Sequence, residues 1–198
     1  MGEDDTEEFF KGTGRLRLRA ETGMDLYQRP GTEYTRNDAP LRTIATPEGA
    51  FAAAARITAT QGVALGQFQQ AGIVFGRDAA ATHRNADWIK AGVERYNARL
   101  RASIVVTKAV SEWGLAPLGP FNRIDSDSLA EFDIRIKRDA GGTISIEMKE
   151  VASGEWTLLR ESYQWGTAPA VIGVYCAAPI DAPPFEAEFS NFSFITTQ

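Results

Sequence analysis

Residues 130–151 read AEFDIRIKRDAGGTISIEMKEV. Every second residue of the first half is apolar. Phe132, Ile134 and Ile136 fall on one face, and Glu131, Asp133, Arg135 and Lys137 on the other. Ile144, Ile146 and Met148 repeat the pattern after DAGG (139–142), a turn signal. Successive side chains of a strand point to opposite faces, so this period marks a strand buried on one side. Two such strands joined by a tight turn predict an antiparallel hairpin.

The pattern extends in both directions. RLRLRAE (15–21), AGIVFG (71–76), DWIKAGVE (87–94) and RASIVVTKA (101–109) all read as strands, as do WTLLRES, AVIGVYCAA and FEAEFSNFSFI towards the end. Gly, Asp and Pro turns separate them, which predicts an antiparallel sandwich. AFAAAARI (50–57) is ambiguous. Alanine favours helix, whereas Phe51, Ala53, Ala55 and Ile57 also fit one strand face.

The chain has 198 residues, 43% apolar and 24% charged, which suits one globular domain. The net charge is −5. Glu3, Asp4, Asp5, Glu7 and Glu8 account for it, so residues 1–14 are expected to be an acidic, partly flexible tail before a single domain over 15–198. The body is formally neutral and lacks the basic footprint of a nucleic-acid binder. No apolar run is long enough to cross a bilayer, and the acidic start is unlike a secretory signal. Cys176 is the only cysteine. It excludes an intramolecular disulfide and suggests a reducing compartment, hence a cytoplasmic location.

Motifs for several chemistries are missing. The only histidine, His83, lies in the loop DAAATHRNAD, so a multi-histidine metal site is excluded and no metal is expected. Neither GxGxxG nor GxxxxGK[ST] occurs, and no cofactor is expected. Glu131 and Asp133 share a face, as carboxylates of some glucanases do. The third acid of such a pattern would fall at Ile136, and Arg135 and Lys137 suggest a plain charged outer face.

Two stretches are chemically richer. In DWIKAGVE, Ile89, Ala91 and Val93 form the apolar face, and Trp88, Lys90, Gly92 and Glu94 form the other. Gly92 would leave room above the sheet. In MDLYQRPGTEYTR (24–36), Tyr27, Arg29, Tyr34 and Arg36 offer aromatic walls and guanidinium groups for an anion.

These stretches, with QQAGIVF (69–75), SIVVTKAVSEWG (103–114), SGEWTLLR (153–160) and IGVYCAAP…FEAEFSNFSF (172–194), occur in an order that resembles a known family. It is the concanavalin A-like sandwich family of unknown function typified by the yeast "regulation of enolase" protein. The resemblance covers roughly residues 15–195. It implies an all-β, concanavalin A-like antiparallel β-sandwich (jelly roll) of two curved sheets, whose concave face usually holds ligands. It also implies that AFAAAARI is a strand. Histidines that family members often carry near positions 31 and 40 are Gly31 and Pro40 here.

The resemblance carries a candidate site. Trp88, Trp113, Tyr27, Arg29, Arg36, Gln70 and Thr107 are expected to bind ligand, and Glu94 and Lys90 are the candidate catalytic pair. The expected function is a soluble protein that binds a small organic ligand, a carbohydrate or metabolite, in the concave groove with a metabolic regulatory role. A metabolic enzyme is the expected protein partner. The alternative is a metal- and cofactor-independent isomerase, lyase or cyclase. Glu94 would then be its general acid or base, and Lys90 and Arg29 would stabilise charge. Lys90 and Glu94 stand four apart on one strand, about 13 Å between Cα atoms, so they cannot pair directly.

Overall fold

A computed structural model describes residues 3–29, 31–32, 34–59, 66–77, 87–97, 99–117, 131–151 and 154–197. His83 lies outside them. The described residues form a short helix α1 (Glu3–Phe10) and fourteen strands. The strands are β1 (Leu16–Ala20), β2 (Leu26–Gln28), β3 (Thr35–Asn37), β4 (Leu41–Thr46), β5 (Ala50–Ala59), β6 (Gln70–Gly76) and β7 (Trp88–Tyr96). They continue as β8 (Arg99–Lys108), β9 (Val110–Pro117), β10 (Glu131–Arg138), β11 (Ile144–Glu150), β12 (Thr157–Ser162), β13 (Ala170–Ala177) and β14 (Phe185–Thr197).

Two six-stranded antiparallel sheets stack face to face. The first has the order β1-β14-β5-β10-β11-β12 and the second β4-β13-β6-β7-β8-β9. This is the expected concanavalin A-like sandwich. The expected hairpin forms between β10 and β11, with Ile134 opposite Met148 and Ile136 opposite Ile146. AFAAAARI is a strand, paired with β10 and β14. Its helix propensity loses because Phe51, Ala53, Ala55 and Ile57 are buried between the sheets.

The core lies between the sheets. Ile134, Ile136, Ile146 and Phe189 of the first sheet meet Ile73, Phe75, Ile89, Ala91 and Val93 of the second. The first sheet turns ion pairs outward: Asp133 with Arg56 and Lys149, and Glu147 with Arg135 and Lys137. The Glu131–Asp133 face is thus a charged outer wall.

Residues 3–10, expected as part of a flexible tail, are helical. Phe9 of α1 is fully buried in the core, and Phe10 packs edge-on against Phe192 at 4.9 Å. The acidic residues read as a tail because the two aromatics that dock them come last, at the end of the run.

Strands β6, β7 and β13 are buried almost throughout, on both faces. One cover is local: β2 and β3 form a separate two-stranded hairpin. Asp25 and Asp38 close its base, with Asp25 N donating to Asp38 Oδ1 at 2.9 Å.

Candidate functional site

The outer face of the second sheet can be read row by row from its registers. Glu94 is opposite Gln70 and Arg101, Gly92 opposite Gly72 and Ser103, and Lys90 opposite Val74 and Val105. Tyr175 of β13 is opposite Gly72, and Trp113 of β9 is opposite Val105. Alternation thus gathers residues from five strands onto one patch. The β2–β3 hairpin closes over it, anchored by Gln28 N donating to Ser111 Oγ at 2.8 Å.

A cavity of about 430 Å³ lies between hairpin and sheet. Asp25, Lys90, Gln70 and Glu94 supply polar lining. Tyr27, Tyr34, Phe68, Trp113 and Ile180 supply walls, and the exposed Arg29 stands at the edge. The Tyr27 and Tyr34 rings lie 6.0 Å apart. Phe68, Tyr96 and Trp113 form a second aromatic group, with centroids 5.4 to 6.0 Å apart. Small-molecule sites combine apolar walls with a few placed polar groups in this way.

The polar groups have separate partners. Lys90, 1% exposed, donates from Nζ to Asp25 Oδ1 at 2.8 Å. Asp25 also accepts from Leu26 N at 2.7 Å and from the Tyr34 hydroxyl at 3.0 Å. The Lys90 ammonium lies 5.8 Å from the Trp88 ring centroid and 5.5 Å from that of Tyr175, within cation–π range. Glu94 is 2% exposed. Its Oε2 accepts from the Ser103 hydroxyl and from Trp113 Nε1 at 3.1 Å, while Oε1 has no partner among the described residues. Burial pushes the Glu94 carboxyl above its ordinary range. Ser103, Lys90 and Trp113 oppose that shift only in part. Tyr175, wholly buried, donates to Gln70 Oε1 at 3.2 Å, and burial raises its hydroxyl well above the ordinary value.

The structure sorts the expected site residues into two groups. Tyr27, Arg29, Gln70, Lys90, Glu94 and Trp113 line one cavity. Trp88, Arg36 and Thr107 do not. Trp88 is fully buried among Leu26, Val74, Val105 and Tyr175 beneath the hairpin. Thr107 is buried and bonded to Ser111, the hairpin's anchor, at 2.7 Å. Arg36 is exposed, its guanidinium 5.5 Å from the Tyr34 ring centroid. Gly92 does not open the cavity either. It faces Gly72 so closely that a Cβ on either would lie 2.0 Å from a backbone oxygen of the opposite strand. The glycines permit close strand approach, and Tyr175 is the bulky neighbour in the same row.

Sequence reasoning does not single out Ser103, Phe68 or Tyr175. Ser103 has a signal: it shares parity with Val105 and Thr107 on β8, hence the outer face. Tyr175 has none, because AVIGVYCAA is apolar on both faces. Cys176 is buried and its thiol is pushed up to about 12 by burial, so it is an inert core residue. Among the described residues no group of three His, Cys, Asp or Glu is placed to hold a metal ion, and no helix is long and apolar enough to cross a membrane.

Residues 5–197 match the family described as "Protein of unknown function (DUF1349)". No curated protein matches the chain. Among solved structures, a functionally unknown protein from Saccharomyces cerevisiae superposes with a TM-score of 0.74 at 22% identity, covering 93% of this chain and 89% of that one. The GH43 protein BlXynB from Bacillus licheniformis, as a K247S mutant, gives a TM-score of 0.63 at 14% identity. The match covers 93% of this chain and only 33% of that one. The Lotus tetragonolobus seed lectin gives 0.52 at 9% identity, covering 92% of this chain and 100% of that one. At these identities the likeness is one of fold.

Proposed function

The chain belongs to the DUF1349 family of proteins of unknown function, and on that premise we propose that it binds a small organic ligand, of carbohydrate type, between its β2–β3 hairpin and second sheet. One observation carries the reading: a cavity of about 430 Å³ with aromatic walls and a buried polar lining. Aromatic faces stack on the apolar faces of sugar rings, while Gln70, Glu94 and Lys90 offer hydrogen bonds to hydroxyl groups. The seed lectin with the same fold supports the choice of ligand class by analogy alone. The reading extends to a metabolic regulatory role in the cytoplasm, with a metabolic enzyme as partner. Its motive is the sequence's resemblance to the family typified by the yeast "regulation of enolase" protein.

A second reading is catalytic, as an isomerase, lyase or cyclase. The desolvated Glu94 carboxyl has the raised pKa a general acid needs, and it faces the cavity. Against it, Lys90 is neutralised by Asp25 and has little charge left to offer a developing anion. Binding is therefore preferred. The test is thermal stabilisation by a panel of sugars and glycolytic metabolites, with Trp113→Ala as control. A saturable shift that Trp113→Ala abolishes is expected. If no compound shifts the wild-type melting temperature, the proposal fails.

A further inference from the structure

We infer that the ligand carries an ammonium group, held by Glu94, and turns oxygen acceptors towards Lys90; an amino sugar fits both ends. The inference rests on the binding reading above and adds the ligand's charge and orientation.

Three buried ionisable groups line the cavity, Asp25, Lys90 and Glu94, and the protein pairs only the first two. The Lys90 ammonium has a carboxylate 2.8 Å away. Glu94, as deeply buried, has no cation at ion-pair distance among the described residues. Its register partner Arg101 forms no ion pair with it. Lys90 pairs with Asp25 instead. The donors that do reach Glu94, a serine hydroxyl and an indole N–H, are neutral, and both bond Oε2. Oε1 is left to the cavity. A buried carboxylate without a counter-ion is costly to ionise. A ligand cation removes that cost and an isosteric hydroxyl does not.

The walls favour the same choice. Trp113 both bonds Glu94 and belongs to the aromatic group with Phe68 and Tyr96. Ring faces attract a cation within about 6 Å of their centroids. An ammonium beside Glu94 would therefore gain a charge partner and ring contacts together. Lys90 sets the other end. It has three N–H donors and one hydrogen-bond acceptor among the described residues, Asp25 Oδ1. Its remaining donors suit hydroxyl or carbonyl oxygens and meet no acceptor on an ammonium. Arg29, at the exposed edge, is screened by water and does not decide the charge inside.

Calorimetric titration of the full chain at about pH 7 compares D-glucosamine, D-glucose, N-acetyl-D-glucosamine and cyclohexylamine. D-Glucosamine is expected to bind at least about 10-fold more tightly than D-glucose, with the N-acetyl form behaving like glucose. Glu94→Gln, checked for native circular dichroism, is expected to erase that preference. Trp113→Leu, at a position 39% exposed, is expected to weaken both amines several-fold. Equal affinity for glucose and glucosamine overturns the ammonium inference and leaves sugar binding standing. So does a preference that survives Glu94→Gln, or amine affinity unchanged in Trp113→Leu. Glu94-dependent binding of cyclohexylamine with no sugar bound keeps the ammonium inference and removes the carbohydrate reading. Failure of all four compounds overturns both.

Discussion

Glu94 is a costly residue for the fold, and its cost depends on pH. Burial raises its folded pKa above the ordinary 4.5. Between the two values the native state holds a proton that the unfolded chain has released. Stability therefore falls as pH rises through that window and levels off above the folded pKa. Glu94→Gln keeps an oxygen to accept from Ser103 and Trp113 while removing the charge. Its melting temperature is expected to gain on the wild type as pH rises from about 4 to about 8. A difference constant across that range would show that Glu94 carries no such penalty. Asp133 and Glu147 act in the opposite sense. Burial alone would raise them, but bonds from Arg56 and Lys149, and from Lys137 and Arg135, outweigh it and hold them below the ordinary range. Their stabilisation is present above the unfolded pKa and is lost as pH falls through the folded one. Comparing the Glu94→Gln variant with wild-type protein cancels them. In the sequence, Glu94 and Lys90 are legible as members of the site. Their separate partners are not, because Asp25 and Trp113 reach them from other segments.

Among the strands, the contact between β6 and β7 depends on one glycine pair. Neither Gly72 nor Gly92 has a positive φ, so spacing rather than backbone torsion requires them. A Cβ at Gly92 would lie 2.0 Å from Ala71 O and 2.6 Å from the Gly72 Cα. Gly92→Ala is expected to cost about 3 kcal/mol or more, because the strands must move apart under Lys90 and Glu94. Urea denaturation measures it, and a loss under about 1 kcal/mol would mean that the sheet adjusts freely. The alternation that marks a strand is plain in DWIKAGVE. The close approach is not, since a glycine in a strand also signals a bulge or simply lacks a side chain to pack. The β2–β3 hairpin is legible as a source of Tyr27 and Arg29, but its strands of three residues are too short for periodicity to declare them.

Across the molecule as a whole, helix α1 belongs to the packed domain rather than to a tail. Removing residues 1–11 would uncover Phe192 and take away Phe9, whose full burial is worth about 2 to 3 kcal/mol. A loss of stability of about that size is expected from equilibrium denaturation of the truncated chain. An unchanged midpoint would return the segment to the status of a tail. The two sheets also differ in a way that matters for function. In sequence, β10 of the first sheet and β7 of the second both alternate apolar residues with charged ones. The outer face of the first sheet holds ion pairs such as Asp133–Arg56, whereas that of the second is roofed by the hairpin and holds the cavity.

Periodicity points to the sandwich, because a period of two over several short segments leaves each alternating strand one face to bury. It also dictates which side of DWIKAGVE meets the core, since a shift of one residue would turn Ile89, Ala91 and Val93 outward. Which outer face holds the cavity, and which residues line it, was left to the packing of distant segments. Periodicity says that a side chain leaves the core, but not what closes over it. Asp25 lies 65 residues from Lys90 in the chain and 2.8 Å from it in space. That contact ties the hairpin to the sheet, while Glu94 faces the cavity with no countercharge at ion-pair distance among the described residues.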